Sequence, residues 1–237
     1  MAVESKSIPS ELGVRASAVD PRGFAPTSAH RQYFLWMQII FGFLFLEFAL
    51  WEPDVVTRYR WAGVATLTIG ALALIDRPAL RRLGLGLPTS LGAALTLGIS
   101  VAAALVMIFA VRWAGGEIPA NPTWPNLHLA WQYLIWAMMQ EFMLQSFFFT
   151  RFEELYGSAP AVWMAATLFA AAHLPSPVLT TFTLIGALFF CEMFRRYRSI
   201  YPIGVVHALL GLTISLTMPD QLIHHMRVGV GYLQYSR

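Results

Sequence analysis

One stretch limits what this chain can become: residues 127–149, LHLAWQYLIWAMMQEFMLQSFFF, apolar enough to cross a bilayer yet carrying Gln132, Gln140, Glu141 and Gln145. An ionisable group near the hydrocarbon centre costs about 2.5–3.5 kcal/mol on insertion scales, so it faces a packed bundle or a wet cavity rather than lipid. Glu141 is therefore a candidate site residue from the outset. Gln145 follows it by one helical turn and Gln140 lies beside it, so the helix turns a polar stripe toward its neighbours.

The rest of the chain supplies those neighbours. At 57% hydrophobic and 12% charged residues, with mean hydropathy +0.57, the sequence is far from the soluble average of about 45–50% apolar and about 25% charged. Its apolar residues fall in long runs without period-two alternation, which excludes a transmembrane barrel and predicts an all-α polytopic membrane protein. The runs predict seven transmembrane helices: 33–51, 61–75, 91–111, 127–149, 159–174, 177–194 and 200–218. An eighth or a re-entrant piece is allowed by the shortness of the second and fifth. Residues 1–32 read as a flexible tail without a signal peptide, and 219–237 as a polar tail that leaves the membrane. The break at 112–126, with its glycine pair and three prolines, reads as an exposed loop.

Eleven of the sixteen lysines and arginines fall on the side of the N-terminus in this topology and five on the other. The positive-inside rule then makes the N-terminus cytoplasmic and the C-terminus external. No run of like charges points to nucleic acid. The single Cys191 excludes an internal disulfide framework and reads as a small buried apolar side chain. Glu47, Gln132, His128, His224 and His225 read as interfacial groups, Glu153 and Glu154 as solvated, and Glu192 as the partner of Arg195 and Arg196 at helical spacing.

Two histidines lie in later apolar runs, His173 in TLFAAAHLP and His207 in IGVVHALLG. Around His207 the small residues Gly204, Ala208, Gly211 and Ser215 recur at three- or four-residue spacing, a face that lets another helix approach closely. Phe169 precedes His173 by four residues and shares its face. A buried glutamate and two imidazoles support two chemistries, water activated by general base and acid or a three-ligand metal site. Both are hydrolysis inside the membrane, and metal dependence stays open. Counted at about 1.5 Å per residue from the cytoplasmic ends, His207 lies about 10 Å deep, Glu141 about 15 Å and His173 about 20 Å, so tilt or a re-entrant turn near 174–177 must bring them together. No Gly-x-Ser-x-Gly, phosphate-binding loop, dinucleotide fingerprint or His-Glu-x-x-His motif is present.

Three short motifs occur in order, Gln140-Glu141-Phe142-Met143-Leu144-Gln145, Phe169-Ala170-Ala171-Ala172-His173 and His207-Ala208-Leu209-Leu210-Gly211. Through them residues 137–218 resemble the CAAX protease and bacteriocin-processing family of intramembrane endopeptidases, whose eukaryotic members trim prenylated proteins. The family pattern is Glu-Glu-x-x-x-Arg, Phe-x-x-x-His and His-x-x-x-Asn or Asp. Here its first glutamate falls on Gln140, its arginine on Gln145 and its final Asn or Asp on Gly211. The resemblance implies catalysis by Glu141, His173 and His207, with Glu141 as base aided by His173 and His207 polarising the scissile carbonyl or holding its oxyanion. It implies a membrane-anchored protein or lipidated peptide as substrate, the lipid bilayer as setting, and a bacterial inner membrane as location. The glutamine-bearing first motif is similar to that of bacterial sorting-type members. The alternative is a member that keeps the fold, has lost the reaction, and serves as a binding, immunity or chaperone-like protein.

Overall fold

Polar residues placed just before apolar runs start the helices. In the computed structural model, which describes residues 28–75, 78–116 and 127–235, Ser28 caps α1 (Ala29–Trp51), Asp54 caps α2 (Val55–Leu74), Thr89 caps α3 (Ser90–Trp113) and Ser176 caps α7 (Pro177–Tyr197). Each side-chain oxygen accepts one of the N–H groups a helix start leaves unpaired, and Pro177 at the first position of α7 has no N–H to lose. Between α3 and α7 run α4 (Leu127–Glu141), a π-helical segment Phe142–Phe149, α5 (Thr150–Tyr156) and α6 (Ser158–Ala171). The chain ends in α8 (Ile200–Thr217), α9 (Asp220–Ile223) and α10 (Val230–Gln234). The segment 127–156 is one continuous helical stretch. Most of the predicted tail at 1–32 and of the predicted loop at 112–126 lies outside the described residues.

The architecture is an all-α polytopic membrane protein. Four helices, α1, α3, α7 and α8, are long and apolar enough to cross a bilayer. Large apolar side chains such as Phe48, Leu67, Leu105, Val106 and Phe109 are exposed, an outward-facing hydrophobic surface that water would not tolerate and lipid does. On α3 the buried positions are Gly92, Thr96, Ser100 and Ala104, a four-residue repeat of small side chains, and α3 packs closely on α8. The focal pass sits in the middle: Leu144, Phe147 and Phe149 are fully buried, with Ala161 and Ala165 of α6 and Phe194 of α7 in the same core.

One end of the bundle is knotted by charge. Arg31 Nε and Arg82 Nη2 each lie 2.7 Å from the Glu154 carboxylate, and Arg198 pairs with Glu153. These glutamates, expected to be solvated, are partly buried ion-pair partners instead. Burial pushes the Glu154 carboxyl up, and the two guanidiniums outweigh it, holding it below the usual carboxylate range. The expected pairing of Glu192 with Arg195 and Arg196 is present at 2.7 and 2.5 Å.

The opposite end is closed by the C-terminal segment, which packs back onto the helices. Ile223 is buried, half-buried His224 stacks on Tyr232 and Tyr235, and the Asp220 carboxylate accepts from the backbone N–H of exposed His225 and from Tyr235. The Gly229 N–H donates to the Leu174 carbonyl at 2.8 Å, tying this segment to the turn that carries His173. Gly229 has φ +56 and ψ −139, and a Cβ there would run into the Leu50 carbonyl. Gly229→Ala should therefore cost about 1–3 kcal/mol and expose residues 219–235 to limited proteolysis, with wild-type cleavage kinetics as the result that would refute it.

Candidate active site

Glu141 ends the α-helical part of the focal pass, and from Phe142 the backbone bonding widens to the i→i+5 pattern. The sequence gives this segment no outer face: residues 143–152 are all buried. Its carbonyls are engaged by hydroxyls, with Thr150 Oγ1 donating to Ser146 O at 2.8 Å and to Phe147 O at 3.0 Å. Ser146 Oγ donates to Leu83 O at 2.5 Å, fixing the segment to the turn before α3.

Glu141 has no accessible surface, and both its oxygens are taken. Oε1 accepts from His207 Nδ1 on α8 at 2.7 Å, and Oε2 accepts from Gln145 Nε2 at 3.1 Å. Gln145 also lies against the sulfur of Cys191, which is fully buried as the sequence indicated. The His207 imidazole stacks on Phe190 of α7 at 5.5 Å and meets the edge of Phe169 at 6.1 Å.

His173 lies just beyond the end of α6, in a turn where its N–H bonds Ala170 O and its carbonyl accepts from Ser176 N. It is thus in a turn rather than within a span. Its Nδ1 donates to Phe169 O at 2.8 Å, and its ring meets the Phe169 ring at 5.0 Å. Phe169 touches both imidazoles, which lie within electrostatic reach of one another. Glu141 and His207 are in direct contact, and His173 joins them across one phenylalanine.

The hydrogen bonds fix the tautomers. A carbonyl oxygen can only accept, so His173 carries its proton on Nδ1 and leaves the Nε2 lone pair free. The Glu141 carboxylate imposes the same form on His207. The site presents two imidazole lone pairs beside a buried carboxyl group. A three-ligand metal site does not fit this donor set: the Glu141 oxygens face His207 Nδ1 and Gln145, and no cluster of three His, Cys, Asp or Glu side chains converges among the described residues.

Small residues on α8 let α4 come close. A Cβ on Gly204 would run into Met138, and one on Gly211 into the Tyr133 ring and hydroxyl. Met138 also borders an apolar cavity of about 450 Å³ between α2 and α4, lined by Thr66, Gly70, Leu134, Phe142 and Met143 among others. None of Glu141, His173 and His207 lines it. Sequence reasoning did not single out Tyr133, Phe190 or the π-helical segment; the glycine at 211 was the available signal for the first.

Residues 122–213 match the family model of the Rce1-like type II CAAX prenyl endopeptidases. The match covers all three motifs and the elements that position Glu141, His173 and His207, and it aligns this part of the chain with membrane proteases of CAAX type. No curated protein and no solved structure matches the chain at a significant level.

Proposed function

We propose that the protein is an intramembrane endopeptidase that hydrolyses a peptide bond near the C-terminus or membrane anchor of a membrane-associated protein. The observation that carries this reading is the contact at 2.7 Å between the fully buried Glu141 and the partly buried His207, in a segment matching a protease family. A buried carboxylate on Nδ1 orients an imidazole and stabilises the imidazolium that forms when Nε2 takes a proton. His207, more than Glu141, is then the general base.

In the proposed step His207 Nε2 removes a proton from water as the water oxygen bonds to the scissile carbonyl carbon, and the carbonyl electron pair moves onto its oxygen. His173 Nε2 accepts the second water hydrogen and so aims the nucleophile. Collapse of the tetrahedral intermediate breaks the C–N bond, and the His207 imidazolium passes its proton to the leaving amine. Glu141 stays ionised throughout.

A second reading has support of its own: both Glu141 oxygens are satisfied internally, as in a purely structural polar lock. The two separate in one experiment. A farnesylated peptide ending in a CAAX-type tetrapeptide and a co-expressed protein with a C-terminal transmembrane anchor are offered to wild type and to His173→Ala. Cleavage by wild type and loss in the variant, at equal protein level and thermal stability, support the protease. Equal product from both refutes the assigned mechanism, and capture of either substrate without cleavage supports the binding role.

A further inference from the structure

The Glu141 hydrogen bond holds one edge of the His207 ring, and α7 covers its face. Phe190, 4% exposed, stacks on the imidazole with the centroids 5.5 Å apart and the planes 22° apart. Phe169 stands nearly perpendicular to the same imidazole, 6.1 Å away. The next residue on α7, Cys191, lies against Gln145, which is the second partner of Glu141. Two consecutive residues of α7 thus back the Glu141–His207 pair from one side.

We propose that Phe190 is a positioning residue for the reaction, its ring face holding the His207 imidazole in the plane that aims Nε2 and stabilising the imidazolium formed when Nε2 takes a proton. This rests on the protease reading above. A benzene ring is negative over its face, and a cation within about 6 Å of the centroid is attracted to it, most strongly where water is excluded. A neutral imidazole on the same face gains much less, so the ring favours the charged form and acts on the step in which charge appears. Glu141 favours that form too, through Nδ1. His173, within electrostatic reach, opposes it when protonated. The other titratable groups at hand are Cys191 beside Gln145 and Tyr133 against Gly211; α3, which also packs on α8, carries none before Arg112 in its last turn.

The test separates the ring's charge distribution from its volume. A ring-fluorinated phenylalanine placed at position 190 of the full-length protein nearly keeps the shape and withdraws charge from the face. The lost contact favoured protonated His207, so its proton affinity falls and the imidazole stays neutral to lower pH. The acid limb of the kcat/KM profile, where activity disappears as His207 is protonated, should move about 0.5–1 pH unit lower. The plateau above it should drop about 3–10-fold, because a weaker base takes the proton, with KM changed less than about twofold. Imidazole nitrogen shifts of His207, followed against pH without substrate, should move by the same amount. Phe190→Leu, which removes the face altogether, should move both at least as far. A limb and an imidazole titration at wild-type pH in the fluorinated protein overturn the proposal whatever the plateau does, since a ring that only packs changes rate or stability and leaves the proton affinity alone. Equal cleavage by wild type and His173→Ala refutes the protease mechanism instead, a separate result because the His207 titration is read without turnover.

Discussion

Glu141→Gln should lower turnover by about 10³–10⁴-fold, the size of effect expected when an imidazole base is held in the wrong tautomer, while leaving KM and folding nearly unchanged. The substitution is isosteric, and the reason for the loss lies in its neighbour. Gln145 Nε2 donates to Glu141 Oε2, and an amide at 141 that keeps this bond turns its oxygen toward Gln145. Its NH₂ then faces His207 Nδ1, which must accept, and the imidazole proton moves to Nε2. The base has lost its lone pair. Replacing Gln145 by Met in the same background removes the constraint, lets the amide turn round, and should restore part of the activity. Imidazole nitrogen chemical shifts report the tautomer independently of turnover. A single Glu141→Gln variant with more than a tenth of wild-type kcat would remove His207 from the role of base.

The bonding of Glu141 to both His207 and Gln145 is not visible in the sequence, although all three residues stand out in it. Glu141 stands out because burying a carboxylate in an apolar run is costly, and His207 because a stripe of small residues surrounds it. Which of the two takes the proton depends on the second partner of each carboxylate oxygen, and both oxygens are committed. The helices are legible for a similar reason: apolar runs and the polar residues before them are local signals, so α1, α3, α7 and α8 start within a few residues of their predicted positions. What stays hidden is set by distant contacts. The π-helical segment has the composition of an ordinary apolar helix, and its burial on every side comes from α2, α6 and α7. Glu153 and Glu154 look solvated until Arg31, Arg82 and Arg198 arrive from three other parts of the chain. The C-terminal segment looks polar because its aspartate and histidines are counted singly, whereas they stack and bond with Tyr232 and Tyr235. The unequal depths counted for the three site residues assume straight, parallel spans, and α6 ends early enough to carry His173 in a turn of its own.

Arg151 makes the largest demand on stability. The structure buries it, with 7% of its surface accessible, as the tie between three elements. Nε donates to Gln38 Oε1 on α1 at 3.0 Å, Nη2 donates to Leu72 O at the end of α2, and Nη1 lies 3.2 Å from Thr150 Oγ1. Its guanidinium sits 4.3 Å above the Phe147 ring, so it also clamps the π-helical segment that follows Glu141. Arg151→Met would fill the volume and leave the Gln38 and Leu72 oxygens without this donor, at about 1–3 kcal/mol for each buried acceptor, with a further ~1 kcal/mol from the lost cation–π contact. Relief from desolvating the arginine offsets part of this. A net loss of about 3 kcal/mol is expected, a fall of roughly 6–12 °C in the unfolding midpoint in detergent for a chain of this size. Arg151→Lys should recover little, because an ammonium cannot fork to two acceptors on different helices. Gln38→Leu in the Arg151→Met background should recover more, since it removes one stranded oxygen along with its donor. Additive losses in that double variant would mean that the two side chains act independently and that α1 is held to the focal pass by packing alone.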